Sequence, residues 1–91
     1  MVAKKKLSRK EREASREEAA RRFDEIASLV SEARKNDEIG SHYSLWIDQH
    51  RRVEWWPGAQ HWRCSTQTDH FGPMDDLLTW LRSETAPGRS I

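Results

Sequence analysis

The sequence predicts a small α+β domain of order α-β-β-β-α, in which a three-stranded antiparallel sheet carries both helices on one face. Three observations support this prediction. Apolar residues recur at helical spacing early and late in the chain, apolar and polar residues alternate between residues 41 and 66, and Pro-Gly and Gly-Pro pairs separate these segments. With 91 residues, of which 35% are hydrophobic, the chain has room for a single core.

The first helix is expected at residues 17–35, since no Gly or Pro interrupts the chain before Gly40. Its apolar stripe consists of Ala19, Phe23, Ile26, Ala27, Val30 and Ala33. Residues 1–16 have almost no apolar face and are expected to form a charged arm, either an exposed helix or disordered. Ser8 and Glu11 have the spacing of a capping box.

Three strands are expected within residues 41–66, and alternation assigns their side chains to two faces. We expect Trp55 and Trp62 in the core, facing the helices at Phe23, Ile26, Leu77 and Leu81. The other face has no predicted third layer to cover it. Its predicted members are His42, Trp46, Arg52, Trp56, His61 and Arg63.

Pro and Gly residues indicate the position of one turn and the start of the second helix. Pro57 and Gly58 suit the two central positions of a type II turn, and Gly72 and Pro73 are expected to begin the second helix after a polar loop. The buried stripe of this helix is Met74, Leu77, Leu78 and Leu81, with Trp80 at its margin. We therefore expect one domain over residues 17–84 and a flexible tail at 85–91.

Charge is distributed unevenly along the chain. Residues 1–22 contain nine Lys and Arg against four Glu, whereas the remainder contains seven basic and eleven acidic residues. This basic arm is expected to attract nucleic acid or an acidic partner. Its named residues are Lys4, Lys5, Lys6, Arg9, Lys10 and Arg12.

Composition also indicates the cellular setting. The single cysteine, Cys64, excludes an intramolecular disulfide and fits a reducing cytoplasm. The chain contains no apolar run of the length of a membrane span, and its N-terminus lacks the apolar core of a secretory signal. We expect no cofactor. We also expect no metal site, because within a strand His61 and Cys64 point to opposite faces.

No catalytic motif stands out, and the one candidate for chemistry is His42, in the stretch Gly40-Ser41-His42 at the start of the first predicted strand. A histidine there could act as a general base near neutral pH. The α-β-β-β-α order, with this stretch, 53-VEWWP-57 and 77-LLTWL-81, resembles the HicA-type mRNA-interferase toxins and their double-stranded-RNA-binding fold. That resemblance implies a catalytic role for His42, although this closing helix begins with acidic Asp75 and Asp76.

A second resemblance covers nearly the whole chain. The charged first helix, 42-HYSL-45, 56-WPG-58 and the leucine-rich closing helix are similar to small uncharacterised proteins of bacteriophages and prophages. This resemblance implies a phage accessory protein in the cytoplasm of a bacterial host cell, which binds and inhibits a host macromolecular or defence complex.

Together these features predict a non-enzymatic binding module. The predicted binding surface is Trp46, Trp56, Arg52, Arg63 and His61, assisted by the basic arm. A host protein or nucleoprotein complex is favoured as partner, since the body of the chain is acidic. Direct binding of single-stranded or structured nucleic acid and a His42-dependent ribonuclease are the alternatives, and a homodimer stays open.

Overall fold

A computed structural model describes residues 7–64 and 69–85 of the chain. Within these ranges the fold is α+β, as predicted, with three α-helices, five strands and a short 3-10 helix. In chain order the elements are α1 (Arg9–Arg21), α2 (Phe23–Ala27), β1 (Glu32–Lys35), β2 (Tyr43–Trp46), β3 (Arg52–Trp56), the 3-10 helix (Pro57–Ala59), β4 (His61–Cys64), β5 (Asp69–Phe71) and α3 (Met74–Thr85).

The strands form one antiparallel sheet in chain order, β1-β2-β3-β4-β5. Because each strand pairs with the next one along the chain, the predicted three-stranded sheet corresponds to its three central strands. Trp55 lies opposite both Tyr43 and Trp62 in the register. Since directly opposite residues share a face, the large rings of β2, β3 and β4 collect on one side of the sheet.

The helices cover that side and complete a single core. Trp55 and Trp62 are only 2% and 3% exposed, which confirms their predicted place. Trp80 is half-buried at the margin, with its ring 6.2 Å from that of Trp62. The buried core members are Ala19, Ile26, Tyr43, Leu45, Ile47, Val53, Trp55, Trp62, Cys64, Met74, Leu77, Leu78 and Leu81.

The predicted single helix over residues 17–35 is wrong. α1 ends at Arg21, because Arg22 leaves the helical region with φ −109° and ψ 18°. The Arg22 guanidinium contacts Glu25 at 2.9 Å, Glu18 at 2.7 Å and Asp75 at 3.1 Å. These carboxylates raise the pKa of Arg22 above its ordinary value, and the contacts join α1, α2 and α3 at the break.

The end of the predicted helix is instead strand β1. The N–H and the hydroxyl of Ser31 both donate to the carbonyl of Trp46 at 2.8 Å, which attaches this segment to β2. Ala33 fits a helical stripe, but as a strand residue it packs partly against the core. Pairing with β2 over four residues outweighs the local helix preference.

Two further local predictions are wrong. Pro57–Ala59 is a 3-10 helix rather than a type II turn, and the left-handed residue is Gln60 (φ 49°, ψ 52°) instead of Gly58. Gly58 allows the 3-10 helix to lie close to α1, because a Cβ at this position would be 3.0 Å from Nη1 of Arg16. The predicted polar loop after β4 contains β5, which pairs with β4 over three residues.

The predicted boundary at residue 16 falls within α1. The capping box is present: the Ser8 N–H donates to Glu11 Oε1 at 2.9 Å and the Glu11 N–H donates to Ser8 Oγ at 3.2 Å. Leu7 is buried, and Gln60 Nε2 donates to Ser15 Oγ at 3.1 Å. Residues 1–6 and 86–91, which include Lys4, Lys5 and Lys6, lie outside the described residues.

No helix within the described ranges combines the length and the apolar character that a membrane span requires.

Candidate functional site

The sheet face away from the helices carries the predicted binding residues. We call it the open face, because the buried side chains of the three described helices all belong to the core on the other side. Trp46, Trp56 and His61 are half-buried there, and Arg52 and Arg63 are exposed. The structure thus brings the five predicted surface residues together on one face. The remaining members are Glu32, Arg34, His42, Ser44, Glu54, Asp69 and Phe71.

Four rings stack across the strands in what we call the aromatic row: His42, Trp56, His61 and Phe71. Ring centroids are 5.1 Å apart from His42 to Trp56, 4.8 Å from Trp56 to His61 and 4.7 Å from His61 to Phe71. The interplanar angles are 6°, 17° and 14°, so the rings lie face to face. The two inner rings therefore have both faces covered by neighbours and direct only their edges outward.

Glu54 organises the polar groups beside the aromatic row. Its Oε1 accepts from His42 Nε2 at 2.5 Å and from Ser44 Oγ at 3.0 Å, and its Oε2 contacts Arg52 Nε at 2.7 Å. The Glu54 side chain is 22% exposed. One half-buried carboxylate therefore joins a side chain of β2, one of β3 and the histidine that directly precedes β2.

Both ring nitrogens of His42 are engaged. Nε2 contacts Glu54, and Asn36 Nδ2 lies 3.3 Å from Nδ1 and also donates to Ser44 Oγ at 2.9 Å. This network favours the tautomer in which Nε2 carries the proton and Nδ1 accepts from the Asn36 amide. One face of the imidazole also stacks on Trp56. The ring is therefore fixed in position, and its unprotonated nitrogen, Nδ1, faces the Asn36 amide.

Charges on the open face are balanced and paired. Each of its three arginines contacts a carboxylate: Arg34 with Glu32 at 3.4 Å, Arg52 with Glu54 at 2.7 Å and Arg63 with Asp69 at 3.8 Å. With neutral histidines the formal charge of these residues is zero. The face thus offers matched charges of both signs rather than a positive surface.

Trp46 occupies the opposite end of the open face from the aromatic row. It lies between Glu32 and Arg52 in the register. The guanidinium carbon of Arg34 is 5.2 Å from the centroid of its ring, a cation–π contact. One indole face is therefore covered by a cation that β1 supplies.

Asp69 is the carboxylate with a perturbed pKa on the open face. His61 Nε2 lies 2.9 Å from Asp69 Oδ1. This hydrogen bond, followed by the nearby positive charges of His61, Arg63 and His70, lowers the pKa of Asp69 below its ordinary value of 3.8. The carboxylate therefore ties β5 to β4 most strongly when it is ionised.

We expect acid to weaken the fold partly through Asp69. Because its folded-state pKa is below 3.8, the stabilisation is complete above that value and is lost as the pH falls through the folded pKa. Urea unfolding between about pH 5 and pH 2.5 should show the free energy of unfolding falling less steeply for Asp69→Asn than for wild type. Asp37→Asn serves as a comparison variant, because hydrogen bonds from Ser41 also lower the pKa of Asp37. It should reduce the pH dependence of the free energy of unfolding in the same direction. An Asp69→Asn variant that keeps the full wild-type slope would contradict this assignment.

The described residues of the basic arm do not join the open face. Arg9, Lys10 and Arg12 are exposed on α1, and α1 packs on the core side through Ala19. These three residues and the open face therefore lie on different sides of the domain.

A metal site is not formed by the described part of the chain, where no group of three His, Cys, Asp or Glu side chains is arranged to hold an ion. Cys64 is buried in the core, and His61 lies on the open face.

Sequence reasoning missed Arg34, Asn36 and Phe71 as members of the site. Arg34 and Asn36 fell in or beside the predicted first helix, and Phe71 fell in the predicted loop. The available signal was alternation over the four residues of β1 and the three residues of β5, which is too short to outweigh the helical stripe. Alternation along 52-RVEWW-56 puts Glu54 on the same face as Arg52 and Trp56, but its position between His42 and Arg52 depended on strand pairing.

The resemblances to phage accessory proteins and to HicA-type toxins stay predictions. Searches with the whole chain found no matching protein-family model, no matching curated protein and no matching solved structure.

Proposed function

We propose that the protein is a non-enzymatic binding module whose open face engages a protein partner. The observation that supports this most directly is the aromatic row beside fully paired arginines. Such a face combines tryptophan and arginine, the residue types that most often dominate protein interfaces, with a formal charge of zero. A partner can bury it without leaving an uncompensated charge.

The same geometry disfavours single-stranded nucleic acid on this face. Bases bind by stacking on free ring faces, whereas the inner rings, Trp56 and His61, are covered on both faces. Phosphates would have to compete with Glu54 and Asp69 for the guanidiniums of Arg52 and Arg63. Nucleic acid fits better at Arg9, Lys10 and Arg12 of the basic arm, which are exposed on α1.

The class of partner follows from the resemblance to phage accessory proteins. On that basis the partner is a bacterial macromolecular or defence complex, and binding inhibits it. The basic arm, through Arg9, Lys10 and Arg12, would then provide long-range attraction toward an acidic or nucleoprotein partner.

A His42-dependent ribonuclease is the second candidate, and the contact between His42 and Glu54 favours it, because a carboxylate partner orients a catalytic imidazole. Against it, the remaining nitrogen of His42 lies against Asn36. Expression in bacteria separates the two. A ribonuclease toxin should degrade RNA in the expressing cells and His42→Ala should abolish that degradation, whereas the binding module should leave RNA intact with or without the His42 imidazole.

Capture from a nuclease-treated bacterial lysate tests the proposal. We expect the wild-type protein to retain one complex that the Trp46→Ala/Trp56→Ala variant fails to retain. Ile39→Ala is the matched control, because Ile39 is an exposed apolar residue, 71% exposed, in the loop before β2. Retention by the double variant, or loss with Ile39→Ala, would contradict the open face as the binding surface.

Salt dependence separates protein from nucleic acid as the partner. If the chain binds single-stranded nucleic acid directly, log affinity should fall with log salt at a slope of about −0.7 per phosphate neutralised. We expect Trp46→Ala/Trp56→Ala to leave such binding unchanged and Arg9→Ala/Arg12→Ala to weaken it. Loss of nucleic-acid binding in the tryptophan variant would move the nucleic-acid site to the open face.

A further inference from the structure

Strand β1 forms one end of the sheet, and its outer edge has no neighbouring strand within residues 7–64 and 69–85. The Asn36 N–H donates to the carbonyl of His42 at 2.9 Å, and these two residues continue the β1–β2 register by one position beyond Lys35 and Tyr43. Backbone groups alternate in direction along a strand. Glu32 and Arg34 therefore direct their backbone groups toward β2, and the N–H and C=O of Ala33 point outward.

We propose that this edge pairs with the same edge of a second copy of the chain, antiparallel about a two-fold axis at Ala33. Closed dimers are commonly formed by one self-complementary patch in this way. A two-fold axis perpendicular to the sheet leaves every side chain on its own face. Even-numbered residues of β1 point to one face of the sheet and odd-numbered residues to the other. Two residues can therefore be opposite each other only if both are even-numbered or both are odd-numbered.

The charges of β1 select the register. A centre at residue 32, 34 or 35 would place two glutamates, two arginines or two lysines directly opposite each other, which is unfavourable. A centre at Ala33 places Glu32 opposite Arg34 of the second copy, and repeats that ion pair on the other side of the axis. Only this centre within β1 pairs opposite charges and avoids like charges.

The backbone geometry agrees with the same centre. The outward N–H and C=O of Ala33 would exchange two hydrogen bonds with Ala33 of the second copy, and the small side chains would meet without a clash. Glu32 and Arg34 would form the pairs without hydrogen bonds between them, in which opposite side chains approach most closely. Their side chains are 58% and 63% exposed, so both are available to a neighbour.

The dimer would be a continuous ten-stranded sheet with two open faces side by side. It would bring the two Trp46 and Arg34 contacts near the axis. This inference does not depend on the proposed function, since the edge can pair whether or not the open face has a partner.

Charge reversal tests the pairing. For wild type we expect the mass from sedimentation equilibrium to rise with concentration toward twice the monomer mass. Glu32→Arg alone places two like-charged pairs across the axis, and so does Arg34→Glu alone, so each variant should stay monomeric. An equimolar mixture of the two should dimerise, because each arginine then meets a glutamate. The double variant E32R/R34E should dimerise for the same reason.

Arg82→Glu is the control, since Arg82 is exposed on α3 and is not part of the edge strand, and it should dimerise like wild type. Hydrogen exchange of the wild-type protein provides an independent readout: the Ala33 amide should become slower to exchange as concentration rises, whereas the Arg34 amide should be protected at all concentrations. Wild type that is monomeric at millimolar concentration, single variants that dimerise, or an Ala33 amide that ignores concentration would each overturn the proposal.

Discussion

Replacing Trp55 by alanine is expected to lower the free energy of unfolding by about 3–5 kcal/mol. Trp55 is 2% exposed on the central strand, its ring lies 5.0 Å from that of Tyr43, and it is opposite Trp62 in the register. Removing the indole leaves a cavity between the sheet and the helices that neighbouring rings cannot fill. A small domain has roughly 5–15 kcal/mol of stability in total, so this variant should be partly unfolded at 37 °C.

The adjacent residue supplies the control. Trp56 is on the same strand but on the open face, where it is half-buried. Trp56→Ala should therefore cost clearly less than Trp55→Ala in guanidinium unfolding followed by far-UV circular dichroism. Equal costs, or a larger cost for Trp56, would mean that the two faces of β3 are assigned the wrong way round.

The second large effect concerns binding. Once the captured partner is purified, we expect Trp56→Ala to weaken its affinity by about 30-fold or more, which corresponds to about 2 kcal/mol. Trp56 is the inner ring between His42 and His61. Its removal deletes the apolar indole edge that a partner would contact, and it leaves the two flanking rings without the ring on which they stack. Isothermal titration calorimetry with the purified partner measures the change directly.

Two variants sharpen this prediction. Trp56→Phe keeps a ring that can stack between its neighbours and should retain most of the affinity, if the row acts as a unit. Arg63→Ala should cost no more than about 1 kcal/mol, because the Arg63 side chain is 61% exposed and its ion pair with Asp69 is screened by solvent. Unchanged affinity of Trp56→Ala would show that the aromatic row is structural and that the partner binds elsewhere.

The predicted single helix over residues 17–35 illustrates why the local sequence pattern was insufficient at the start of the chain. Ala19, Phe23 and Ile26 are correctly placed toward the core, but the stripe continues through Ala33 at helical spacing although residues 32–35 form a strand. At the break, Arg22 contacts Glu18, Glu25 and Asp75, and Asp75 is on α3, far along the chain. A contact of that range has no signature in a window of ten or fifteen residues.

The split of the tryptophans between a hidden and a solvent-facing side follows from alternation, because successive side chains of a strand must point to opposite faces. Residue order was therefore enough to put Trp55 and Trp62 in the core and Trp46 and Trp56 on the other side. The edge strands, the aromatic row and the Glu54 network arise from pairing between separate segments. Pairing energy is gained only when those segments meet, so β1 and β5 are strands because β2 and β4 lie beside them, not because of their own few residues.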